Sequence, residues 1–192
     1  KTKKVDFVYV PTFKDVFDNK KKSKINIKKN DKILCAKFRK GHFEGVLDVM
    51  DRLTKLINPK NIYMGKKDYQ QFYLVKNFLE NRYKIKVIGC KTIRNKNKVA
   101  LSSRNYLLKK DELRIASEVS KKIIHLKKKL KVKKNIRNFL FLNKLKIQNL
   151  LKIKIEYLEL RNINDLKISN SLSNSKLFLA YYIGKVRLID NY

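Results

Sequence analysis

The sequence predicts an α/β protein in which part of a Rossmann-like domain with a parallel sheet, over residues 1–95, precedes a small α+β domain over residues 96–192. The first observation is an alternation of short β-rich stretches with segments of helical periodicity, at lengths that suit parallel crossover units. The second is a change near Arg94, where a polar run is followed by two Lys-rich helical patterns and then by strand-like stretches. The number of crossover units predicts about half of a Rossmann-type domain.

Local patterns place the elements of the first domain. Val5–Val10 alternates and ends at Pro11, which predicts a strand that runs into a loop. From His42 onward, apolar residues recur at the spacing of one helix face, and this amphipathic helix stops before Pro59. The same reasoning predicts a short helix or turn at residues 12–19 and a polar loop at residues 20–32. It further predicts a short buried strand at residues 61–64, a second helix at residues 68–81 and a further strand at residues 85–89.

The second domain has a simpler pattern. Apolar positions at helical spacing predict two helices, roughly Lys110–Leu130 and Asn135–Leu151. Three strand-like stretches then predict a small antiparallel sheet, at Ile153–Leu160, Leu177–Ile183 and Val186–Ile189. The polar run Arg94–Lys98 is the predicted hinge.

The charge admits two interpretations. The 49 Lys and Arg residues against 16 Asp and Glu give a formal net charge of +33, which taken alone suggests a nucleic-acid partner. The excess, however, is Lys spread along the whole chain and accompanied by abundant Asn, Ile, Tyr and Phe, as the codons of an AT-rich genome would produce. We therefore expect a solvated surface that contacts nucleic acid only non-specifically.

Several functional classes are not indicated. The chain has no run of 18 apolar residues and does not begin with a signal-peptide pattern, so we expect a soluble cytoplasmic protein without a membrane partner. Cys35 and Cys90 form no CxxC pair and have no histidine at metal-ligand spacing. They are predicted to be small buried residues rather than metal ligands or a disulfide.

The segment Gly65–Gln71 stands where a predicted strand passes into a predicted helix. Ligands bind at this edge of α/β sheets, and a helix N-terminus there attracts phosphate. Lys67 could neutralise a phosphate, and Asp68 could accept hydrogen bonds from ribose hydroxyls or simply cap the helix. Gln71 lies one turn beyond Asp68 and could bind a carboxylate or hydroxyl of a second substrate. A capped, solvated first turn is the alternative.

The segment Leu101–Asn105 places Ser102 and Ser103 beside Arg104, directly after the polar hinge. Two hydroxyls and a planar guanidinium would suit a lid that closes on a triphosphate. The alternative is an N-cap with a surface arginine.

A third segment, Arg39–Val46, contains Gly41 and Gly45 in a chain that has only 5 glycines, which indicates backbone constraints. His42 lies between them and is assigned a structural or supporting role, because the one other histidine, His125, belongs to a Lys-rich helix.

Together, and in this order, these segments resemble the pantothenate synthetase family. Its members carry a Gly-His-Phe-x-Gly-Val turn, a Gly-x-Lys-Asp-x-Gln-Gln segment, a Leu-Ser-Ser-Arg-Asn segment and an ending near Arg-Leu-Ile-Asp-Asn. The corresponding residues here are Gly41–Val46, Gly65–Gln71, Leu101–Asn105 and Arg187–Asn191, and Lys4–Pro11 is similar to a family strand that leads into a Pro-Ser/Thr turn. The resemblance covers almost the whole chain.

The resemblance implies a Rossmann-like nucleotidyltransferase domain with a C-terminal lid, in a dimeric, ATP- and Mg²⁺-dependent ligase. Pantoate would be converted to pantoyl adenylate with release of pyrophosphate, and β-alanine would then displace AMP to give pantothenate. By matching motif, the implied catalytic residues are Lys67 and Arg104 and the implied pantoate-binding residue is Gln71. The implied ATP-binding residues are Gly65, Lys66, Lys67, Asp68, Ile93, Leu101, Ser102, Ser103 and Arg104.

The sequence departs from the family pattern in three respects. Lys98 and Asn97 stand where Gly and Asp are usual, so the hinge could close differently, and Glu44 stands at a position that is often Arg or Asp. More seriously, the family's Pro-Thr-Met-Gly-x-Leu-His-x-Gly-His segment and its first pantoate-binding Gln are not among these residues. We therefore expect these 192 residues alone to be inactive. A basic nucleic-acid-binding module and a non-catalytic remnant are the competing functions.

Overall fold

The computed structural model describes residues 5–17, 25–132 and 135–192. Among these residues, the parallel-sheet region contains two strands and four α-helices. Strands β1 (Asn61–Gly65) and β2 (Lys86–Cys90) pair in parallel, with Asn61 opposite Lys86 and Gly65 opposite Cys90. The helices are α1 (Phe13–Phe17), α2 (Leu34–Phe38), α3 (His42–Ile57) and α4 (Tyr69–Glu80). A crossover through α4 joins the two strands, as parallel pairing requires.

The predicted amphipathic helix is confirmed as α3, and its ends explain why it begins and stops where it does. Gly41 precedes it with a φ of 76°, a left-handed conformation that glycine adopts without steric cost. At the other end Asn58 has a φ of 48° and donates its N–H to the carbonyl of Thr54 at 2.9 Å, so that Pro59 lies outside the helix. Gly45 lies within the helix in open space, so only Gly41 meets a backbone constraint.

The antiparallel-sheet region is also as predicted. Helices α5 (Lys110–Lys129) and α6 (Ile136–Leu151) precede strands β3 (Lys154–Asn162), β4 (Ser175–Ile183) and β5 (Val186–Asn191), in the sheet order β3-β4-β5. A register shift between Ile155 and Tyr157 marks a bulge in β3.

Both faces of this sheet are buried, and this joins the two regions. Leu177 and Leu179 of β4 pack in one core with α5 and α6, whereas Phe178 and Ala180 pack in a second core with α3 and α4. The alternation follows from the two-residue period of a strand. Because one sheet contributes to both cores, the cavity that lies between the regions has a common rigid wall.

Five details differ from the predictions or were not anticipated. Val5–Val10 is exposed and forms no strand, and no described strand pairs with it. β1 alternates between exposed and half-buried residues instead of being buried, and Cys90 is exposed whereas Cys35 is buried. The five-residue helix α2 was not predicted. The predicted polar loop includes a buried residue, Ile27. Residues 18–19 of the predicted helix or turn and residues 20–24 of the predicted loop lie outside the described parts of the chain.

The predicted hinge forms a tight hairpin. The N–H of Asn95 donates to the carbonyl of Val99 at 2.9 Å, and the N–H of Leu101 donates to the carbonyl of Ile93 at 2.9 Å. Lys98 has a φ of 68°, so it adopts the left-handed conformation that glycine would adopt at no cost. Of the helices that the structure describes, none combines the length and the apolar character that a bilayer crossing requires.

Candidate functional site

A cavity of about 280 Å³ lies between the parallel-sheet and antiparallel-sheet regions, and we call it the inter-region cavity. It brings together the three segments that the sequence singles out. One wall comes from the turn after β1 and the start of α4, another from the loop before α5, and a third from α2, α3 and the sheet strands. The predicted residues that line it are Lys67, Asp68, Gln71, Ser102, Ser103 and Arg104, together with His42.

The turn after β1 is held by the last strand of the chain. The side-chain amide nitrogen of Asn191 donates to the carbonyls of Lys66 and Lys67 at 2.8 and 2.7 Å, and Asn191 itself is buried. These carbonyls belong to the 3₁₀ turn Lys66–Asp68 that leads into α4. The amide of Asn191 therefore fixes the direction in which the turn enters the cavity.

Lys67 and Asp68 form an ion pair on this turn, with 3.3 Å between the ammonium nitrogen and a carboxylate oxygen. The Lys67 side chain is mostly buried, whereas 47% of the Asp68 side chain is exposed. Asp68 is the N-cap residue of α4, yet its carboxylate accepts no capping hydrogen bond. The structure thus does not use Asp68 as a helix cap, and its carboxylate faces the cavity.

The two adjacent glutamines have different environments. Gln70 is buried, and its side-chain nitrogen donates to the carbonyls of Asp31 and Ile33 at 3.0 and 2.8 Å, which holds the segment before α2 against α4. Gln71 is half-buried, lines the cavity, and has no side-chain hydrogen bond to another residue in the described part of the chain. Its amide is therefore available to a ligand.

The opposite wall is the short helical turn that starts at Ser103. The hydroxyl of Ser102 accepts from the N–H of Arg104 at 3.3 Å, so the capping alternative for this serine is realised. The amide of Asn105 donates to the carbonyl of Ala100 at 3.0 Å and closes the loop. One nitrogen of the Arg104 guanidinium donates to the carbonyl of Arg187 at 3.4 Å, a long bond that directs the side chain into the cavity.

His42 lies at the α3 side of the cavity and is bonded to Arg39, the first residue of the same segment, to which the sequence analysis gave no role. The guanidinium of Arg39 approaches the Nε2 atom of His42 at 2.7 Å. Burial, followed by the positive charges of Arg39 and Arg104, lowers the pKa of His42. A neutral imidazole accepts the Arg39 hydrogen bond, so His42 positions a cation at the cavity wall and does not add a charge of its own.

A buried ion pair supports the wall from behind. Arg187 donates to one carboxylate oxygen of Glu156 at 2.6 and 3.0 Å, and the hydroxyl of Tyr182 donates to the other at 2.9 Å. The same guanidinium lies 3.6 Å from the sulfur of Cys35, which is 3.1 Å from the hydroxyl of Tyr157. Because the side chains of Arg187 and Glu156 are only 13% and 6% exposed, this cluster fixes α2 against the sheet.

The electrostatics of the cavity favour an anion. Three cations, Arg39, Lys67 and Arg104, line it against two carboxylates, Asp68 and Asp190. Asp190 is already neutralised by Arg94, whose two terminal nitrogens bind its two oxygens at 2.7 and 2.8 Å. Preorganised cations in a concave, partly desolvated site bind phosphate groups through charge-assisted hydrogen bonds.

Four predicted ligand residues do not line this cavity. The Lys66 side chain lines a different cavity, on the other side of the turn. Ile93 and Leu101 are 65% and 55% exposed, and their backbones meet in the hairpin described above. Gly65 has an ordinary extended backbone, and a Cβ atom added there would contact no atom within 4 Å. Open space over an unstrained glycine leaves room for a ligand to approach the backbone.

Sequence reasoning missed the residues that hold the site together. Cys35 was predicted only to be a small buried residue, which is confirmed, Arg39 opened a recognised segment without receiving a role, and Tyr157 was not considered. Asp190 and Asn191 belong to a motif that was recognised but received no role. The signal for these two was the pairing of an acid and an amide at the end of a strand, where side chains reach neighbouring loops.

Comparison with known proteins agrees with these observations. The family model described as pantoate-beta-alanine ligase matches residues 1–192. A pantothenate synthetase of Clostridium botulinum is 35% identical over 193 residues, which cover 98% of this chain and 68% of that protein.

Solved structures show the same fold. The pantothenate synthetase of Thermus thermophilus superposes with a TM-score of 0.89 at 23% identity, covering 98% of this chain and 69% of that one. The pantoate-beta-alanine ligase of Francisella tularensis, crystallised with beta-gamma ATP and beta-alanine, superposes with a TM-score of 0.65 at 34% identity, covering 88% of this chain and 57% of that one.

Proposed function

The chain belongs to the pantoate–β-alanine ligase family, a family of ATP-dependent ligases, and on that premise we propose that its inter-region cavity binds ATP and pantoate for the formation of pantoyl adenylate. The observation that carries the proposal is that one cavity collects Lys67, Asp68 and Gln71 from one wall and Ser102–Arg104 from the other. With His42 of the third segment, three separate sequence segments meet there with an excess of positive charge. β-Alanine would be the second substrate, as the complex of the Francisella protein supports.

We assign the ATP contacts by position. Lys67, Ser102, Ser103 and Arg104 face one another across the cavity and would bind the phosphates. Asp68, whose carboxylate caps no helix, would accept hydrogen bonds from the ribose hydroxyls, beside the open backbone of Gly65. The backbone of Ile93 and Leu101 would contact adenine. Lys66 would contribute through its backbone, because its side chain lines another cavity.

The proposed chemistry has two steps. A carboxylate oxygen of pantoate attacks the α-phosphorus of ATP, and the bond to the bridging oxygen breaks to release pyrophosphate. The amine of β-alanine then attacks the acyl carbon of pantoyl adenylate, loses a proton, and AMP leaves with the acyl C–O electron pair. Lys67 and Arg104 would stabilise the charge that builds up on the phosphoryl oxygens in the first step. Gln71 would hold pantoate for an in-line attack.

Magnesium fits this site as an ion carried by the nucleotide. Among the described residues no three His, Cys, Asp or Glu side chains are grouped as metal ligands, and Asp190 is engaged by Arg94. Mg²⁺ commonly binds through substrate phosphates with one or two carboxylates, but Asp68 is paired with Lys67 and assigned to the ribose, so the phosphates would be the main ligands of the ion. When bound, the ion would neutralise phosphate charge. We further propose a cytoplasmic homodimer that contacts nucleic acid only non-specifically, through surface lysines.

Ligand-induced stabilisation tests the proposal. ATP with Mg²⁺ should raise the melting temperature of the chain, since a ligand that binds only the folded state stabilises it. DNA retention should instead fall steeply as salt rises through the physiological range. If DNA stabilises the chain in moderate salt and ATP does not, the chain is better explained as a nucleic-acid-binding module.

Gln71→Ala should weaken pantoate binding much more than ATP binding. The half-buried amide has no hydrogen-bond partner within the described residues, so its loss leaves the fold intact and removes a contact to one substrate. A loss of about tenfold in pantoate affinity is expected. Gln70→Ala, which breaks the two bonds to Asp31 and Ile33, is the contrasting variant and should lower thermal stability. Equal weakening of both substrates by Gln71→Ala would contradict the assignment.

We also propose that residues 1–192, assayed by themselves, form no pantothenate. The cavity has phosphate-binding side chains from Lys67 and from Ser102–Arg104, but the histidine-bearing segment of the family is not in this sequence. Loss of one preorganised donor typically costs about 3–4 kcal/mol of transition-state stabilisation. Formation of AMP that depends on pantoate and β-alanine should therefore require an added N-terminal segment from a related enzyme. Activity without it would refute this proposal.

A further inference from the structure

A second, larger cavity of about 590 Å³ lies behind the turn after β1, between the end of β2 and helix α5, and we call it the basic cavity. It shares a wall with the inter-region cavity, because the turn itself and the buried Asn191 separate the two. None of its lysines is used in the proposed reaction except through the Lys66 backbone. The lysine side chains that line it are Lys66, Lys91, Lys127, Lys128, Lys131 and Lys176.

These six positive charges have little compensation from nearby carboxylates: Asp190 attracts Lys176 from a distance, but Arg94 already binds that carboxylate. None of the six lysines forms an ion pair with a described carboxylate, whereas Arg94, which also lines the cavity, is bound by Asp190. The ammonium of Lys176 lies 5.6 Å from the centre of the Tyr69 ring, a weak substitute for an anion. The arrangement therefore concentrates uncompensated positive charge in a concave site, which favours an anionic ligand.

Burial makes part of this positive charge energetically costly. Lys176 is half-buried, and burial, followed by the charges of Lys127 and Lys66, lowers its pKa. Burial also lowers the pKa of Lys127. A bound polyanion would relieve both effects, because it would replace lost hydration with charge-assisted hydrogen bonds.

The rest of the lining indicates what the anion carries. Ile124 and Leu172 supply apolar surface, and the Tyr192 ring packs against the Arg94 guanidinium at 4.4 Å. The volume lies within the range of small-molecule sites. A single-stranded nucleic acid would instead need an extended groove with exposed aromatic rings. The cavity therefore has the size of a compact ligand with both charged and apolar parts.

We propose that the basic cavity binds a small organic polyphosphate, with its phosphate groups on Lys127, Lys176 and the neighbouring lysines and its apolar or planar part against Ile124 and Leu172. This site is distinct from the proposed substrate site. Its ligand would contact the back of the turn whose front carries Lys67.

The test measures binding of inorganic tripolyphosphate and of ATP to the full chain by calorimetry without Mg²⁺. The double variant Lys67→Ala/Arg104→Ala disables the proposed substrate site and should still bind tripolyphosphate. It should bind ATP more tightly than tripolyphosphate, because ATP also has a planar part for the apolar lining. Lys127→Gln/Lys176→Gln should weaken tripolyphosphate binding by about tenfold or more, since each removes a charged contact. The matched control Lys129→Gln/Lys185→Gln removes the same charge from exposed positions and should change binding by less than about threefold.

Three results would overturn the proposal. Equal weakening by both glutamine pairs would show a general surface-charge effect, and loss of binding in Lys67→Ala/Arg104→Ala would place the anion in the inter-region cavity. Much tighter binding of a 20-nucleotide single strand, lost in Lys127→Gln/Lys176→Gln, would show a nucleic-acid surface. Should that variant fail to fold, acetylation of the native chain decides instead: tripolyphosphate should protect Lys127 and Lys176 and leave Lys129 reactive, and uniform reactivity would refute the site.

Discussion

Lys67→Ala and Arg104→Ala should each lower the rate of adenylate formation by about a hundredfold or more, because each removes a charged donor aimed at developing negative charge. The Lys67 ammonium is mostly buried beside Asp68, and the Arg104 guanidinium is directed into the same cavity from the opposite wall. The measurement is pantoate-dependent pyrophosphate release by this chain joined to the N-terminal segment of a related enzyme.

Matched controls separate this effect from a loss of overall charge. Lys60→Ala removes an exposed lysine just before β1, and Arg114→Ala removes an arginine that is 82% exposed and paired only at the surface. Exposed ion pairs contribute little, so both controls should keep the parent rate within about twofold. If the two site variants retain that rate as well, the phosphate-binding assignment is wrong.

Elements with a long periodic pattern could be predicted from the sequence, and short or unpaired ones could not. The helices α3 and α4 follow from apolar stripes, and their predicted ends differ from the structure by a residue or so. Val5–Val10 has a strand-like pattern, but a strand exists only where a neighbour accepts its hydrogen bonds, and composition does not reveal that neighbour. The five residues of α2 are too few for any period to be recognised.

The sequence could predict which segments form the candidate site, but not which residues hold those segments in place. Ordered motifs place Lys67, Gln71 and Arg104 near a common ligand. The bonds from Asn191 to the turn after β1 join residues 124 and 125 positions apart, and the bonds from Arg187 to Glu156 join residues 31 apart. Such partners are chosen by tertiary packing, because in a chain with 49 basic residues any of several cations could neutralise a given carboxylate.

The same packing argument predicts a large effect on stability. Arg187→Met should lower the free energy of unfolding by about 3–5 kcal/mol, because among the described residues it leaves the buried Glu156 carboxylate with one side-chain hydrogen bond, from the Tyr182 hydroxyl. Urea denaturation at neutral pH measures the change. The contact of Arg187 with the sulfur of Cys35 is lost too, so α2 should loosen from the sheet.

A double variant and the pH dependence identify the buried charge as the cause. Arg187→Met/Glu156→Met should recover most of the loss, to within about 1–2 kcal/mol of the parent, because apolar replacement of a buried pair is often nearly neutral.

Burial alone would raise the pKa of Glu156, but the bonds from Arg187 and Tyr182 lower it below the ordinary value. In the parent the stabilisation is therefore complete above the unfolded pKa, about 4.3, and is lost as the pH falls through the lower folded pKa. Without Arg187 burial should raise this pKa, so the deficit of Arg187→Met should be greatest at neutral pH and shrink as the pH approaches about 4. A deficit that is independent of pH, and that persists in the double variant, would instead indicate a packing defect.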